Sequence, residues 1–472
     1  MSINQSIALG LLLVGVVVTL SAPSHAQCGE LNWVEAINQA LDANQALVAA
    51  RQTLDAQQKD IAKARSKMLP SIKFSGLGWA SEAETFSSSL GLIPARGALG
   101  FGQLNETLYN HADIDALGSQ KHLYQSQAES YENARTQTIA AAGQGYLGVL
   151  LAQALMALQR ENLGLTKKSL GIAQAQKSSG EVPYRNVLRW ESQVYADERQ
   201  VVAQKSSLLQ SRFRFNQVRN RPAEEVCMLE QLTVEKDGFI FSSNVIVDAI
   251  SEDAKAAVAR NYLVNLGFER SHVLRSLDAE IEAQERTMKS ARRWMIPSLD
   301  AMTLGSVFAR TSGAGSDVKE SGALFWIAGL TLDWKVLQGG SFIAQMNQSK
   351  AELWSLKSQR NDIATSLEEN IRGTVAVAMA SFEEIGLSVQ QAETAAKNYE
   401  LTAEAYLVGE AALVDLLDAQ QLLLGANTAA REALYMFLSD LLTVEQSIDY
   451  FPFLEGDAGS RVRELEAKLQ ES

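Results

Sequence analysis

Prolines, cysteines and histidines are scarce in this chain, at seven, two and four among 472 residues. The prolines at 70, 94, 183, 222, 297 and 452 leave stretches such as 95–182 and 298–451 free of any. Nothing there interrupts a helix far longer than those of ordinary globular domains. His25, His111, His122 and His272 stand at no ligand spacing from one another, which argues against a metal site. The sequence shows no nucleophile constellation and no phosphate-cradling loop, so neither an enzyme nor a cofactor is expected. Lysine and arginine number 42 against 55 acids, a formal net charge of −13, and that balance disfavours nucleic acid as a partner. One apolar run approaches membrane-span length, at the N-terminus, and this excludes a polytopic helical membrane protein.

That run, residues 7–20, is followed by Ser21, Pro23 and the small-x-small triplet Ser24-His25-Ala26. The pattern is that of a cleavable signal peptide over residues 1–26. An uncleaved anchor is the alternative, although such a run as helix spans only ~21 Å. Cys28 lacks the aliphatic-x-small-Cys context of a lipid attachment site. In the oxidising compartment beyond the signal, Cys28 and Cys227 are either a disulfide tying the mature N-terminus to mid-chain or two buried thiols.

The mature chain repeats itself. Met68-Leu69-Pro70-Ser71-Ile72 aligns with Met295-Ile296-Pro297-Ser298-Leu299 at an offset of 227, and Ser179-Gly180-Glu181 with Val408-Gly409-Glu410 at 229. Two matches at nearly one offset indicate an internal duplication. The first repeat covers 27–245, the second 246–452, and a charged tail covers 453–472. Each repeat has an amphipathic helix (31–67 and 247–294), a strand hairpin (about 71–105 and 298–334) and a long helix (112–179 and 341–408). A tight turn then leads to a return helix (184–219 and 413–448). Leu117, Tyr124 and Tyr131 recur every seven residues, and Met346, Leu353, Leu356, Ile363, Leu367, Ile371 and Val375 step by three, four or seven, the spacing of coiled coils. A helix over 112–179 makes a rod of roughly 100 Å.

The hairpins distinguish a rod from a channel. Leu324, Trp326, Ala328, Leu330, Leu332 and Trp334 share one parity against Gly329, Thr331 and Asp333 on the other, so one strand face suits lipid. Trp326 and Trp334 are ~26 Å apart along a strand, close to the height of a membrane barrel's apolar band, and are candidate girdle residues. In the first hairpin Ile72, Phe74, Trp79, Leu99 and Phe101 form a weaker pattern, while the Ser-, Glu- and Gly-rich segments 81–91 and 311–322 suit exposed loops. Four strands cannot close a barrel, and open edges in lipid are costly, so the chain must oligomerise or pack its hairpins elsewhere. Three copies supply twelve strands. A non-conducting periplasmic coiled-coil scaffold or adaptor is the competing reading.

This order of elements resembles the TolC family of outer-membrane efflux and secretion channels, over essentially all of residues 30–450. The segment Tyr406-Leu407-Val408-Gly409-Glu410-Ala411-Ala412-Leu413-Val414-Asp415-Leu416-Leu417-Asp418-Ala419 is similar to the family's Tyr-x-x-Gly-x-x-x-x-x-Asp-x-x-Asp-Ala turn. Leu332 to Gly340 is similar to its strand-to-helix junction. The resemblance implies a mainly α chain with a membrane β-barrel part, forming a homotrimer with a twelve-stranded barrel in the outer membrane. An α-helical tunnel then extends into the periplasm, built from segments 112–219 and 341–448. It also implies a periplasmic adaptor and an inner-membrane RND or ABC transporter as partners, and passive conduction of drugs or polypeptides.

Asp415 and Asp418, three apart, share a helix face. They are either a luminal acidic ring or acids placed for favourable electrostatics at a helix N-terminus. The resemblance supports the ring and makes Tyr406 a gate residue. At the first turn the corresponding acid is replaced by Asn186, and the family's basic residue after the second glycine is absent, with Arg185 a candidate replacement cation. Gly180 and Gly409 suit a left-handed helix end. Glu181, Val182, Tyr184, Glu410 and Leu413 are expected to be exposed at the tips and to meet the adaptor.

Overall fold

The computed structural model describes residues 27–80, 96–232, 239–240, 253–310, 324–454 and 460–471. The expected signal peptide, the loop segments 81–91 and 311–322, and the start of the tail at 455–459 lie outside the described residues. The first repeat runs β1 (Gln27–Leu31), α1 (Trp33–Ala43), α2 (Gln45–Ser66), β2 (Ser71–Ala80), β3 (Arg96–Tyr109), α3 (His111–Ser178), α4 (Tyr184–Val218) and β4 (Val226–Leu229). The second runs α5 (Asp253–Arg270), α6 (His272–Arg292), β5 (Ser298–Arg310), β6 (Leu324–Asp333), α7 (Ser341–Leu407) and α8 (Leu413–Ser447), followed by α9 (Ser460–Glu471).

The amphipathic segments expected as single helices at 31–67 and 247–294 are each broken in two. Asn44 is the cause in the first: its Oδ1 accepts from the Ala46 and Leu47 amides at 2.9 and 3.2 Å, and its amide donates to the Val218 carbonyl at 2.9 Å. Ser271 caps α6 in the same way, its Oγ accepting from the Leu274 amide at 3.3 Å. Short polar side chains at such points satisfy the free N–H groups of a new helix start, and a period of 3.6 in the flanking residues does not reveal the break.

Strands β2, β3, β5 and β6 form one antiparallel sheet in that order, joined by three ladders, the middle one irregular between Thr107 and Tyr109. The helices attached to them pack in the same sequence, α2 on α3, α3 on α6 and α6 on α7. Polar side-chain contacts lace these interfaces, including His122 with Glu282 and His272 with Glu129, both at 2.8 Å, and the ion pair of Arg360 with Asp278 at 2.9 Å. Away from the sheet the order becomes α4, α3, α8, α7. The protomer is thus a wall four elements wide along its length, with β2 and β6 as its open strand edges.

A single large core sits between the two halves. Trp33, Tyr146 and Phe215 meet edge-on, with ring centres 5.5 and 5.9 Å apart, and Phe437, Leu438, Leu441 and Leu442 of α8 are fully buried beside them. Edge-on aromatic contacts add to the area term for such large rings. The apolar middle of α3 is long enough to cross a membrane, but 56% of that window is buried in this core. The Tyr146 hydroxyl lies 3.0 and 2.8 Å from the Leu31 and Glu230 carbonyls, bridging the two parallel strands β1 and β4 at their C-terminal ends. Cys227 on β4 is disulfide-bonded, and Gln27 and Val226, the residues before Cys28 and Cys227, pair on the ladder, whose register shifts between Gln27 and Glu30. Arg219 is fully buried next to β4, stacked 4.3 Å from the Phe215 ring and donating to Gln39 and Asn216 at 2.8 and 2.7 Å. Glu445 is also fully buried, accepting from the Ile240 amide at 2.9 Å, and burial pushes its carboxyl well above the usual range.

Candidate functional site

Two features of the wall bear on function: the sheet, with two unlike faces, and the pair of helix turns at the far end. Residues directly opposite in an antiparallel ladder share a face. The register therefore puts Ile72, Phe74, Leu104, Ala301, Thr303, Trp326, Leu330 and Leu332 on one side of the sheet. Glu106 is the only charged residue on that side among those whose side chains are described. Lys73, Gln103, Asn105, Asp300, Thr331 and Asp333 are on the other. The apolar residues read together in the first hairpin do not share a face: Ile72 and Phe74 lie on the side with Trp326, while Leu99, Phe101 and Trp79 lie on the side with Lys73. Neighbour identity across the ladder decides this, and one strand's sequence does not carry it.

Trp326 stands on the mainly apolar face opposite Gly305 and is 68% exposed. Trp334 lies just past the end of β6, where its indole N–H donates to the Met295 carbonyl at 3.0 Å. Trp294 stacks on Phe342 at 4.6 Å at the same junction, an aromatic pair the sequence reading did not single out.

At the opposite end both turns are built alike. Gly180 and Gly409 have φ of 84° and 83°, the left-handed conformation that only glycine adopts without strain. In each, the residue after the glycine reaches back to the helix: the Glu181 amide to the Gln176 carbonyl at 2.9 Å, the Glu410 amide to the Ala405 carbonyl at 2.8 Å. The glycine amides bond to the Lys177 and Tyr406 carbonyls at 3.1 and 3.2 Å. This double closure is the Schellman arrangement, which satisfies the last free carbonyls of a helix.

The return helices begin differently. The first starts after Pro183, which has no amide hydrogen and no side-chain cap. The second starts after Ala412, whose amide donates to Asp415 Oδ2 at 3.0 Å. Asn186 occupies the position equivalent to Asp415. A carboxylate there would find no N–H at Pro183 to accept from, which accounts locally for the missing acid. Asp415 and Asp418 are both exposed on one face of α8, while Leu413, Leu416 and Ala419 are buried.

Between the turns lies a small core of Ala173, Val187, Trp190, Tyr406, Leu413 and Leu416, with Trp190 fully buried. Leu413, expected to be exposed at the tip, is only 8% exposed: it is the first residue of α8 and faces this core rather than solvent. Tyr406 is only 7% exposed, and its hydroxyl and the Trp190 indole N–H have no partner among the described residues. Glu181, Glu410 and Tyr184 are exposed and Val182 is half-buried; Lys177 lies 4.4 Å over the Tyr184 ring. A cleft of about 830 Å³ runs between the turns, bordered by Arg185, Asn186 and Arg189 on one side and by Tyr406, Gly409 and Val414 on the other. Neither arginine has an ion-pair partner among the described residues.

One group of residues escaped the sequence reading. Gln420 on α8 donates to Asn162 Oδ1 and Thr166 Oγ1 of α3 at 2.8 and 2.7 Å. The Thr166 hydroxyl in turn donates to Asp197 of α4 at 2.5 Å, and Gln193 donates to the other Asp197 oxygen at 2.9 Å. All but Gln193 are buried. This ladder ties the helix carrying Asp415 and Asp418 to the first helical pair. Polar residues at helical spacing look like a solvated face in one dimension, so only the packing reveals them.

The outer membrane efflux protein family model matches residues 36–219 and 263–448. No curated protein sequence matches significantly. Among solved structures, the CmeC outer membrane channel of Campylobacter jejuni is 16% identical with a TM-score of 0.71, covering 92% of this chain and 89% of its own. VceC, an outer membrane protein of Vibrio cholerae, is 15% identical at 0.69, covering 88% and 95%. The MtrE outer membrane channel of Neisseria gonorrhoeae, solved in its open state, is 15% identical at 0.67, covering 89% of each chain. At such identities the likeness is one of fold.

Proposed function

The chain belongs to the outer membrane efflux protein family, and we propose that three copies close into a twelve-stranded barrel in the outer membrane, continued by a helical tunnel in the periplasm. The observation that carries this is the wall itself: a four-stranded sheet with two open edges and one mainly apolar face, with helices attached in the same order. In lipid, unpaired edge groups cost several kcal/mol each, and joining β6 of one copy to β2 of the next removes them with the antiparallel alternation intact. The mainly apolar face then meets lipid, Trp326 and Trp334 mark its borders, and the face with Lys73, Asp300 and Asp333 lines the lumen.

At the periplasmic end, Asp415 and Asp418 of three copies present six carboxylates around a constriction that favours cations. Tyr406 acts in the gate from within the protomer by packing α7 on α8, and Arg185 supplies the cation facing the acids. The exposed tip residues Glu181, Val182, Tyr184 and Glu410 meet a periplasmic adaptor, and an inner-membrane RND or ABC transporter energises export through a tripartite pump or a type I secretion machine. Conduction through the duct is passive. Cys28 is the partner of Cys227, residues 1–26 are the cleaved signal, and the two repeats span 27–245 and 246–452.

Single-channel recording of the detergent-purified trimer in a planar bilayer tests this function. Discrete cation-selective steps are expected, with selectivity reduced in an Asp415→Ala/Asp418→Ala double variant. Assembled trimer that never conducts, in either form, would overturn the channel in favour of a scaffold.

A further inference from the structure

A cavity of about 300 Å³ lies where the sheet meets the helices, walled by the start of α3, the end of α6, the start of α7 and strands β5 and β6. All of these walls belong to one chain, and α6 packs between α3 and α7, so the cavity is complete before a second copy is added. Ser298 and Asp333 face each other in the β5–β6 ladder and both line it, which puts it on the sheet face that carries Lys73 and Asp300. Its volume is at the small end of ligand sites, which run from roughly 300 to 1,000 Å³.

The lining brings together an aromatic wall and both signs of charge. Trp294 and Phe342 stack at 4.6 Å with their planes 16° apart. Asp333 supplies a carboxylate and Lys335, two residues on, an ammonium. Neither forms an ion pair with the other or with any described residue. The His111 ring makes no hydrogen bond among the described residues, and its Nδ1 is buried. Polar groups without partners around an aromatic-lined cavity are groups that a bound molecule would satisfy. Local bonds hold them in place. The Trp334 indole N–H donates to the Met295 carbonyl at 3.0 Å and ties the Asp333–Lys335 segment to the end of α6. Gly339 and Gly340, with φ of 58° and 80°, turn the chain so that Phe342 reaches Trp294.

The backbone does not require this set. In the first repeat Asn105 faces Ser71 as Asp333 faces Ser298, and Thr107 follows two residues on. Ala112 is the second residue of α3 as Phe342 is of α7, and Lys67 stands where Trp294 does, just before the duplicated Met-x-Pro-Ser segment. The same passage from sheet to helix is built there with neither an aromatic pair nor an Asp-x-Lys segment. A purely structural need therefore does not account for them in the second repeat.

We propose that this cavity binds a small aromatic zwitterion, a planar ring carrying one amine and one acid. The ring packs on the Trp294–Phe342 wall, the ammonium meets Asp333, and the carboxylate meets Lys335 with His111 as a second donor. An aromatic cation leaves Lys335 unanswered and an aromatic anion leaves Asp333 so, which selects for both charges on one molecule. In the channel, the site holds cargo at the passage from tunnel to barrel; that role rests on the function proposed above, whereas binding itself does not.

Saturation-transfer NMR titrations of the detergent-purified mature protein test it, with three probes that share one ring: L-tryptophan, tryptamine and indole-3-acetate. L-tryptophan is expected to bind with a Kd of about 0.1–1 mM, weak enough for release, and the other two about tenfold more weakly. Asp333→Asn should abolish the preference over indole-3-acetate and keep that over tryptamine. Lys335→Gln should do the reverse. A role in folding alone would not move one preference without the other.

Absence of saturable L-tryptophan binding, equal affinity for the three probes, or variants that change both preferences alike would overturn the site. A protein that conducts in bilayers but binds no L-tryptophan loses the site and leaves the channel standing. Charge-selective binding by an assembled protein that never conducts upholds the site and removes its place in export.

Discussion

The turn at Gly180 and the turn at Gly409 have the same backbone closure and different chemistry. Their glycine φ values differ by a degree, and the same pair of amides bonds back to each long helix. Past that point Pro183 opens one return helix without a side-chain cap, while Asp415 closes the other onto the Ala412 amide. Duplication preserved what the backbone needs and let the helix start diverge. The consequence is a difference in charge, with Asp415 and Asp418 after the second turn and Arg185 and Arg189 after the first.

Removing what the two turns share should have the largest effect. Trp190→Ala empties the middle of the core that joins them, and a fully buried tryptophan lost this way costs about 3–5 kcal/mol. Thermal unfolding of the detergent-solubilised variant, followed by helical signal, should show a correspondingly lowered midpoint. An unchanged midpoint would mean that the turns do not depend on each other.

Gly180→Ala and Gly409→Ala come next, at about 1–2 kcal/mol each, because both force a side chain into the left-handed region. The two losses should be nearly equal. A difference larger than about 1 kcal/mol, measured the same way, would break the equivalence of the two backbones.

The two acids separate capping from charge. Asp415→Ala should lose about 1 kcal/mol through the cap, whereas Asp418→Ala, with no cap to lose, should stay within about 0.5 kcal/mol. Both should lower cation selectivity in bilayer recordings. Equal stability losses would show that the bond to Ala412 contributes nothing.

Asn186→Asp should change least in stability, within about 0.5 kcal/mol, because Pro183 offers no N–H for the new carboxylate. Its effect should appear as increased cation selectivity. A stabilisation of 1 kcal/mol or more would mean that the first turn can be capped in another way and that proline does not explain the asymmetry.

How much of this was legible in the sequence differs by feature. The long helices were, because proline is missing from them and heptads run through them, and both are local properties. The turns were, because Gly180-Glu181 and Gly409-Glu410 stand at one offset. The breaks at Asn44 and Ser271 were not, since a capping side chain leaves the apolar period intact on either side. Leu413 was placed at an exposed tip because it follows the turn by few residues, but facing the Trp190 core depends on where α4 and α7 lie.

By itself the sequence determined the repeat, the helix lengths, the glycine turns and the alternation of β6, all set by bonded geometry and by periodicities of 2, 3.6 and 7 along one chain. Only the tertiary structure decided which hairpin residues share a face, that Gln420 completes a buried ladder with Thr166 and Asp197, and that α4 and α7 are the outer helices of the bundle. Each of these depends on the side chain across the gap, which sits on another element tens or hundreds of residues away and leaves no periodic mark on its partner.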